Sequence, residues 1–393
     1  MKVVQLNAVC GVGSTGGITV EISRMLTGHN IENYILYTNG THNYKLGINY
    51  SNYFLVKSSA LKARVFGNYG FNSHRATNNL INILNNMKPN IVHLHNIHGH
   101  DLDLDQFFKY LKQTGVRVVW TFHDCWAFTG YCMHFDILKC NKWQTKCGNC
   151  QQAKRYSVFV DRSEELFLKK KKLFTAVEDM TIVVPSNWLA ELTRHSFLNK
   201  YRIEVINNGI DLDIFRPRNN VFKREYGIED KHMVLGVPKG HLKPFRELGK
   251  IMSEEYKLVL VGLTAKERAQ LPKNIIGLPR TADRLEMAQL FTAADVYVNT
   301  TLEDTFPTVN LEALACGTPV ITFNTGGSPE AIDDSTGMVV EKGDIKGMYN
   351  AVCELCTGPD RSAECIARAK RLYNAKDRFE DYYKLYTRSG RFK

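Results

Sequence analysis

The sequence of 393 residues contains no apolar run long enough to span a bilayer, which argues against a transmembrane helix. Its first residues lack the longer apolar core and the cleavage site of a signal peptide, and Met1–Gly11 instead predicts the first strand of the fold. Ten cysteines without an export signal indicate a reducing compartment, where thiols serve packing, metal binding or chemistry. We therefore expect a cytoplasmic protein.

Internal repeats and low-complexity tracts are also lacking, and the length exceeds what one hydrophobic core usually supports. Short β and α segments alternate through both halves, which predicts an α/β protein with parallel sheets covered by helices on both faces. We expect a first domain over residues 1–200, a second over residues 201–375, and a C-terminal helix over residues 376–393 that packs back on the first domain.

The net charge of +11 is unevenly distributed. Residues 1–185 hold 21 Lys and Arg against 12 Asp and Glu, a surplus of 9, whereas the remainder holds 30 against 28, a surplus of 2. This surplus predicts contact with an anionic partner, and acidic lipid headgroups, lipid-linked phosphates and nucleic acid all qualify by charge. A basic solvated face without a partner is the alternative. The usual nucleic-acid-binding motifs are absent, so we expect no nucleic acid partner.

The stretch Asn299–Glu330 predicts two successive strand-to-helix turns. The first carries Glu303 and Asp304, and its helix should start near Thr308 and stop at Gly317 in a left-handed conformation. Two such turns at the carboxyl edge of a parallel sheet form a ligand crevice, and the helix N–H groups favour an anion such as phosphate. An ordinary βαβ unit with solvated glutamates remains an equal alternative.

A glycine-rich turn, Cys10–Gly17, precedes a helix predicted from about Gly17 to Leu26. Small residues there allow a ligand to approach the backbone before a helix N-terminus. The spacing Gly11-x-Gly13-x-x-Gly16 resembles a dinucleotide fingerprint, but no acidic residue ends the following strand, which argues against that ligand. A merely flexible loop is nearly as compatible with the residues.

His123 follows an apolar strand, at the edge where the glycine-rich turn is also expected. It could hydrogen-bond a reacting sugar, accept a proton from an attacking hydroxyl, or serve as a structural histidine bonded to backbone. Four more histidines lie just upstream, where metal binding and packing are both compatible with the spacing: His93, His95, His98 and His100.

Four cysteines follow at spacings of 7, 6 and 2 intervening residues, namely Cys132, Cys140, Cys147 and Cys150. The pair Cys147-Gly-Asn-Cys150 is typical of a tetrahedral zinc knuckle, so structural zinc and free thiols in a packed loop are the two interpretations. Catalytic zinc is disfavoured, because four thiolates leave no open coordination position.

Together, these motifs resemble the retaining nucleotide-sugar glycosyltransferases of family four, along nearly the whole chain. The motifs that carry the resemblance are Asp304 with Glu303 beside it, Glu312-Ala-Leu-Ala-Cys-Gly-Thr-Pro-Val320, the turn Gly326-Gly327, the linker Asn208-Gly-Ile-Asp211…Phe215-x-Pro217, and the positions of the glycine-rich turn and His123. The stretches Gly13–Gly16, His93–Gly99 and His123–Gly130 resemble a bacterial subgroup associated with capsule and exopolysaccharide assembly.

The resemblance implies the GT-B fold, with two Rossmann-like doubly wound domains facing across a cleft. It implies retaining transfer from a nucleotide-diphosphate sugar to a glycan or lipid-linked glycan, with no catalytic cofactor, at the inner face of the plasma membrane. Two alternatives are a nucleotide-sugar epimerase or hydrolase of the same fold, and a non-catalytic basic binding protein.

The resemblance also implies roles for individual residues. Glu312 would bind the ribose, Glu303 or Asp304 the donor sugar hydroxyls, and His123 would lie near the anomeric carbon. Gly16 and Gly17 would lie near the donor phosphates. Backbone N–H groups of a five-residue segment would hold the diphosphate: Thr305, Phe306, Pro307, Thr308 and Val309.

One departure from the family pattern concerns the cation expected to neutralise the diphosphate. The family has Arg and Lys after the first strand of its second domain, whereas the loop Gly236–Arg246 is shorter here. Lys239 and Lys243 are our catalytic candidates, and Arg246 is a third basic residue that could serve.

Overall fold

The computed structural model describes residues 1–40, 44–238 and 240–388. It divides into two compact units. The first contains Met1–Ile206 and the C-terminal segment that starts at Phe379, and the second contains Asn207–Arg378. No helix among the described residues combines the length and apolarity needed to cross a membrane.

The first unit is built on a seven-stranded parallel sheet with the order β3-β2-β1-β4-β5-β6-β7. Its central strands are buried on both faces, so their sequences are nearly continuous apolar runs rather than alternating ones. The order reverses between β1 and β4, which makes their carboxyl ends a topological switch point. The strands are β1 Lys2–Leu6, β2 Glu32–Tyr37, β3 Gly47–Asn49, β4 Ile91–Leu94, β5 Arg117–Thr121, β6 Met180–Val184 and β7 Arg202–Val205.

Helices connect these strands, and several begin at a side-chain cap that satisfies a free backbone N–H. Asn52, Asp103 and Ser186 each accept a hydrogen bond from an N–H of the first turn. The helices are α1 Gly13–Gly28, α2 Tyr53–Phe66, α3 His74–Met87, α4 Leu104–Thr114, α5 Ala153–Tyr156, α6 Ser163–Phe174 and α7 Asn187–Arg194.

The second unit repeats this plan with six parallel strands in the order β10-β9-β8-β11-β12-β13, so its switch point lies between β8 and β11. The strands are β8 His232–Gly236, β9 Tyr256–Leu260, β10 Ile275–Gly277, β11 Val296–Asn299, β12 Val320–Phe323 and β13 Gly337–Val340. The helices are α8 Phe222–Glu225, α9 Lys243–Ile251, α10 Ala265–Ala269, α11 Arg284–Ala293, α12 Thr308–Ala315, α13 Ile345–Thr357, α14 Ser362–Tyr373 and α15 Ala375–Thr387.

The end of α15 belongs to the first unit. The Arg117 guanidinium on β5 donates to two carbonyl oxygens in the last turn of α15, those of Leu385 at 2.8 Å and Tyr386 at 3.0 Å. The Tyr386 hydroxyl is hydrogen-bonded to His93 Nδ1, with the two atoms 2.6 Å apart. Since His93 is buried in β4 and Tyr386 is buried against it, the terminal helix contributes to the polar core of the first unit.

Two local predictions are corrected. Helix α1 begins at Gly13, not near Gly17, so part of the glycine-rich stretch is helical. The short strands β3 and β13 were not anticipated, because β3 has only three residues and β13 is half-exposed in its middle. The predicted stop of α12 is confirmed, since Cys316 is its C-cap and Gly317 has φ of 87°.

Candidate functional site

The two switch points determine where ligands are expected, because open parallel sheets bind ligands at the carboxyl ends of strands where the order reverses. In the first unit this edge carries the loops after β1, β4 and β5. In the second it carries the loops after β8 and β11. Nearly all residues proposed from the sequence lie in these loops or in the helices that follow them.

Gly16 and Gly17 lie in the first turn of α1 and have opposite surroundings. The Gly11 N–H donates to the Gly16 carbonyl at 3.0 Å, and a Cβ at Gly16 would meet the Gly11 nitrogen at 3.0 Å. Among the described residues, a Cβ at Gly17 would meet nothing within 4 Å. Gly16 is therefore required by the turn itself, whereas the fold leaves space at Gly17.

The start of α1 has no side-chain cap among the described residues. Its N-cap residue Val12 makes no side-chain cap, and the first turn contains no acidic residue. The partial positive charge at such a helix end favours an anion. The geometry thus supports the predicted proximity of this turn to phosphate.

His123 lies at the end of β5 and is joined to a buried histidine of the neighbouring strand. His95 Nδ1 is 3.2 Å from His123 Nε2. Burial lowers the pKa of His123 to about 4, although the adjacent Asp124 carboxylate opposes the shift. At neutral pH, His123 is therefore an uncharged hydrogen-bonding group rather than a cation.

Asp124 holds the loop that follows His123. Its carboxylate accepts from His98 Nε2 at 2.9 Å and from the Trp126 N–H at 2.8 Å. Burial alone would raise the pKa of Asp124, but these two partners outweigh it, so the pKa lies below its ordinary value. The His98–Asp124 pair is thus a structural clasp beside His123.

The four predicted zinc ligands lie in one loop and line a cavity of about 530 Å³. The Cys132 thiol hydrogen-bonds to Cys150, which lowers the pKa of Cys150 to about 7, and the Gly130 N–H donates to Cys147 Sγ at 3.3 Å. All ten cysteines are free thiols. Within the described ranges, no three His, Cys, Asp or Glu side chains form a ready-made metal site, so zinc at these cysteines stays a prediction.

In the second unit, Asp304 shapes the loop after β11. Its side chain accepts from the Phe306 N–H at 3.2 Å, and its carbonyl accepts from the Gly327 N–H at 3.2 Å. A Cβ on Gly326 would collide with the Asp304 carbonyl oxygen, so only glycine allows the two turns to approach this closely. These contacts give Asp304 a structural role and favour Glu303 as the acid for sugar hydroxyls.

Helix α12 begins at Thr308 after Pro307, with no side-chain cap and no acid in its first turn. The structure reduces the number of backbone N–H groups in residues 305–309 that can bind the diphosphate. Pro307 has no N–H, and the Phe306 N–H is already bonded to Asp304. Of the three remaining N–H groups, those of Thr308 and Val309 lie at the helix start and Thr305 precedes it, so Thr308 and Val309 are the better candidates for an anion.

Glu312 lies one helical turn after Thr308, on the same side of α12. The interior of that turn is fixed by Asn310, whose Oδ1 accepts from Asn299 Nδ2 at 2.8 Å. Because this buried bond joins α12 to the end of β11, it holds the helix start and Glu312 in place at this edge of the sheet.

The cation candidates after β8 differ in their surroundings. Lys239 lies outside the described residues. The Lys243 side chain is 86% exposed, and its Nζ is 3.8 Å from the Glu247 carboxylate on its own helix. Arg246, which we had not named as catalytic, has a buried Nε without a hydrogen-bond partner among the described residues. A buried charged donor is costly unless paired, so Arg246 is the stronger candidate for an anion ligand.

A cavity of about 730 Å³ in the second unit lies away from this edge. Its lining includes Asp295 and Pro319, which immediately precede β11 and β12. It therefore lies at the amino ends of the strands and contains none of the predicted donor ligands.

Comparison with known proteins identifies the family. The model of "Glycosyltransferase Family 4" matches residues 18–214, and that of "Glycosyl transferases group 1" matches residues 235–358. A similar curated protein is the "Putative colanic acid biosynthesis glycosyl transferase WcaC" of Escherichia coli, which is 22% identical over 98% of this chain and 99% of its own length.

Two solved structures show the fold. Sucrose-phosphate synthase from Thermosynechococcus elongatus has a TM-score of 0.71 at 15% identity, covering 98% of both chains. HepE from Anabaena, solved in complex with UDP-glucose, has a TM-score of 0.63 at 12% identity, covering 98% of this chain and 99% of its own. With the two parallel sheets, these matches confirm the GT-B fold. The chain is a glycosyltransferase and belongs to Glycosyltransferase Family 4.

Proposed function

We propose that this glycosyltransferase moves a sugar from a nucleotide-diphosphate sugar to a glycan or lipid-linked glycan in the assembly of a surface polysaccharide, with retention of anomeric configuration and without a catalytic metal. The observation that carries the proposal is the turn from β11 into α12. There an acidic loop, an uncapped helix start and Glu312 follow one another at the switch point of the second sheet.

Each part of this turn suits one part of the donor. Glu303 accepts hydrogen bonds from sugar hydroxyls, and Glu312 accepts them from the ribose. The Thr308 and Val309 N–H groups bind the diphosphate at the positive end of α12. HepE, a structural neighbour, was solved with UDP-glucose, which supports a nucleotide-sugar donor for the shared fold.

The reaction needs charge stabilisation more than proton transfer by the protein. Breaking the glycosidic bond leaves negative charge on the nucleoside diphosphate, and fixed N–H donors with the Arg246 guanidinium stabilise it in place of a metal ion. His123, with its pKa near 4, is a weak base at neutral pH and serves as a hydrogen-bond partner of the sugar. The departing diphosphate takes the proton of the acceptor hydroxyl.

A lipid-docking surface on the first unit supports an acceptor at a membrane. Helix α2 contains no acidic residue, and it exposes Phe54 by 81% and Leu61 by 66% beside Lys57 and Lys62. Next to it, Phe159 is 76% exposed. An apolar face bordered by positive charge fits an anionic bilayer surface, so we assign peripheral docking to this lipid-docking surface.

The segment that carries Phe159 is attached to α2. The Arg64 guanidinium donates to the Lys154 carbonyl at 3.0 Å, and the Val158 N–H donates to the Arg64 carbonyl at 2.9 Å. The exposed side chains of both segments thus belong to one continuous surface of the first unit.

The test begins with heat-stabilisation of the protein by UDP-, GDP- and ADP-sugars. We expect one nucleotide to raise the melting temperature, and Glu312→Ala to abolish the shift. Incubation with that donor and a lipid-linked acceptor should then give a product whose anomeric coupling constant matches the donor, at an unchanged rate in EDTA. Stabilisation by oligonucleotides alone, or release of free sugar regardless of acceptor, would contradict the proposal.

A further inference from the structure

A chain of buried hydrogen bonds connects α1 to His123. The Gln5 Nε2 donates to the Thr19 carbonyl at 2.9 Å. Gln5 Oε1 is 3.1 Å from His95 Nε2, and His95 Nδ1 is 3.2 Å from His123 Nε2. Gln5, Thr19 and His95 are all nearly inaccessible to solvent, so water cannot substitute for these partners.

The direction of every bond follows from the first one. A carbonyl only accepts, so Gln5 must present its NH₂ group to Thr19 and its oxygen to His95. That oxygen also only accepts, so the hydrogen of His95 is on Nε2. Burial lowers the pKa of His95 well below its ordinary value, so the ring is neutral and its Nδ1 carries a lone pair. His123 must then donate from Nε2.

The ring geometry fits a hydrogen bond between the two imidazoles. The imidazole planes of His95 and His123 lie within 15° of each other, with centroids 5.5 Å apart. Backbone bonds fix His95 further, since its N–H donates to Leu6 at 2.9 Å and its carbonyl accepts from Trp120 Nε1 at 3.1 Å.

We propose that His95 is a positioning residue which, oriented by Gln5, holds His123 in the tautomer with hydrogen on Nε2 and a lone pair on Nδ1. A group that meets Nδ1 must donate a hydrogen bond, as a sugar hydroxyl does. The same relay reaches the glycine-rich helix start, because the Thr19 hydroxyl donates to the Gly16 carbonyl at 2.8 Å. The link to sugar transfer rests on the proposed function, whereas the tautomer itself does not.

Nitrogen NMR of the full-length protein labelled with ¹⁵N-histidine tests the tautomer directly. At pH 7, we expect Nε2 of His123 to resonate as a protonated nitrogen and Nδ1 as an unprotonated one. In His95→Phe, which removes the acceptor, both signals should move toward intermediate positions. His95→Asn keeps an oxygen near the former Nδ1 and should preserve the wild-type pattern.

Two further variants separate the relay from simple damage to the core. Gln5→Met has a similar volume and does not contact His123. It should nevertheless move the His123 nitrogen signals toward intermediate positions, as His95→Phe does. His93→Phe alters the adjacent buried histidine, which bonds Thr121 and Tyr386 instead, and should leave the His123 signals unchanged. If either His95→Phe or Gln5→Met fails to fold, the other still decides the question.

Kinetics connect the tautomer to transfer. Because a misoriented partner weakens the transition state more than substrate binding, His95→Phe should lower kcat roughly 10- to 100-fold with little change in KM, and His95→Asn should restore much of it. A wild-type His123 that carries hydrogen on Nδ1, or a tautomer unchanged in both His95→Phe and Gln5→Met, would overturn the relay. An inactive wild type with the expected tautomer would instead overturn the proposed function.

Discussion

Gly16 and Gly17 are adjacent, yet alanine should have opposite consequences at these two positions. A Cβ at Gly16 would press on the Gly11 nitrogen and on the Val9 side chain at 3.2 Å, whereas a Cβ at Gly17 has open space as far as the described residues extend. We therefore expect Gly16→Ala to lower the melting temperature. Gly17→Ala should keep or raise it, since alanine favours a helix by roughly 0.5–1 kcal/mol.

If the donor phosphates approach α1, Gly17→Ala should nevertheless impair transfer, because its methyl group would occupy the space left for the ligand. Thermal unfolding and initial rates on the same samples separate the two effects. Gly28→Ala, at the other end of α1 and also without neighbours within 4 Å, is the matched control. Full activity of Gly17→Ala would rule out close donor contact at that position.

The second prediction at the residue scale concerns the cation. Removing the Arg246 guanidinium should lower kcat/KM about 100-fold, equivalent to about 3 kcal/mol of transition-state stabilisation. Lys250→Ala, an exposed lysine of the same helix, serves as the control. Comparison with Lys243→Ala distinguishes two of the candidates, because the sequence named Lys239 and Lys243 first, whereas the structure favours Arg246. Equal losses in Arg246→Ala and Lys250→Ala would contradict a specific role for Arg246.

Spacing alone could not distinguish these cations. Lys243 and Arg246 are one turn apart on α9, and only packing buries the Arg246 Nε while leaving Lys243 in solvent. The bond between His95 and His123 joins residues 28 positions apart, and the bond between Gln5 and His95 joins residues 90 apart. Glu312, by contrast, could be identified from local sequence, because it lies on α12 next to the motif residues that predict it.

At the scale of elements, the alternation of apolar segments was sufficient to predict both parallel sheets, since each central strand is buried on two faces. The start of α1 was missed because glycine disfavours helices in isolation. Here the close approach of Gly16 to the Gly11 backbone requires the residue that local propensity disfavours.

The attachment of α15 to β4 should be sensitive to acid. Burial lowers the pKa of His93 to about 3, so the ring that is hydrogen-bonded to Tyr386 is neutral at pH 7. The pKa of His93 is lower in the folded protein than the value near 6.5 expected in the unfolded chain. The stability that this difference contributes is complete above pH 6.5 and is lost as the pH falls toward 3. Through His93 alone, the free energy of unfolding should therefore fall by about 2 kcal/mol between pH 7 and pH 5.

Urea unfolding followed by tryptophan fluorescence measures this loss in the first unit. All four tryptophans belong to that unit: Trp120, Trp126, Trp143 and Trp188. His93→Phe should flatten the pH dependence by about the stated amount, while His195→Gln, a largely exposed histidine of the same unit, should not. An identical slope in wild type and His93→Phe would show that His93 does not contribute.

We propose structural zinc for the cysteine loop, because between β5 and α6 the chain has only two 3₁₀ turns and the short helix α5. A loop of this length is rarely ordered without a support. Releasing thiol-bound metal with a mercurial reagent should yield about one equivalent of zinc. Cys147→Ser should lower that yield, and Cys353→Ser, from the Cys-x-x-Cys pair on α13, should not. Metal-free protein with a folded loop would contradict the assignment.

At the scale of the whole molecule, the lipid-docking surface should direct the enzyme to anionic membranes. Co-sedimentation should be stronger with vesicles containing phosphatidylglycerol than with phosphatidylcholine alone, and weaker at high salt. Replacing Phe54 and Leu61 by serine should reduce binding roughly 10-fold or more, because their apolar area is then not buried. Leu285→Ser, at a 44% exposed position of the second unit, is the control.

Charge reversal separates the two components of this surface. Lys57→Glu with Lys62→Glu should remove the preference for phosphatidylglycerol while leaving the apolar side chains intact. Equal binding to neutral and anionic vesicles, or concentration-dependent dimerisation through the same residues, would contradict lipid docking.

The hydrogen bonds from Arg117 to the end of α15 have a consequence for the order in which the protein folds during synthesis. Residues 379–388 emerge from the ribosome only after the whole second unit, although their partners on β4 and β5 were synthesised first. A nascent chain must therefore keep His93 and Arg117 without their C-terminal partners while the second unit is translated. If translation ended near residue 378, the first unit would lack the end of α15. We expect chaperones and proteases to act on this incomplete unit, rather than the unit to be stable as an independent domain.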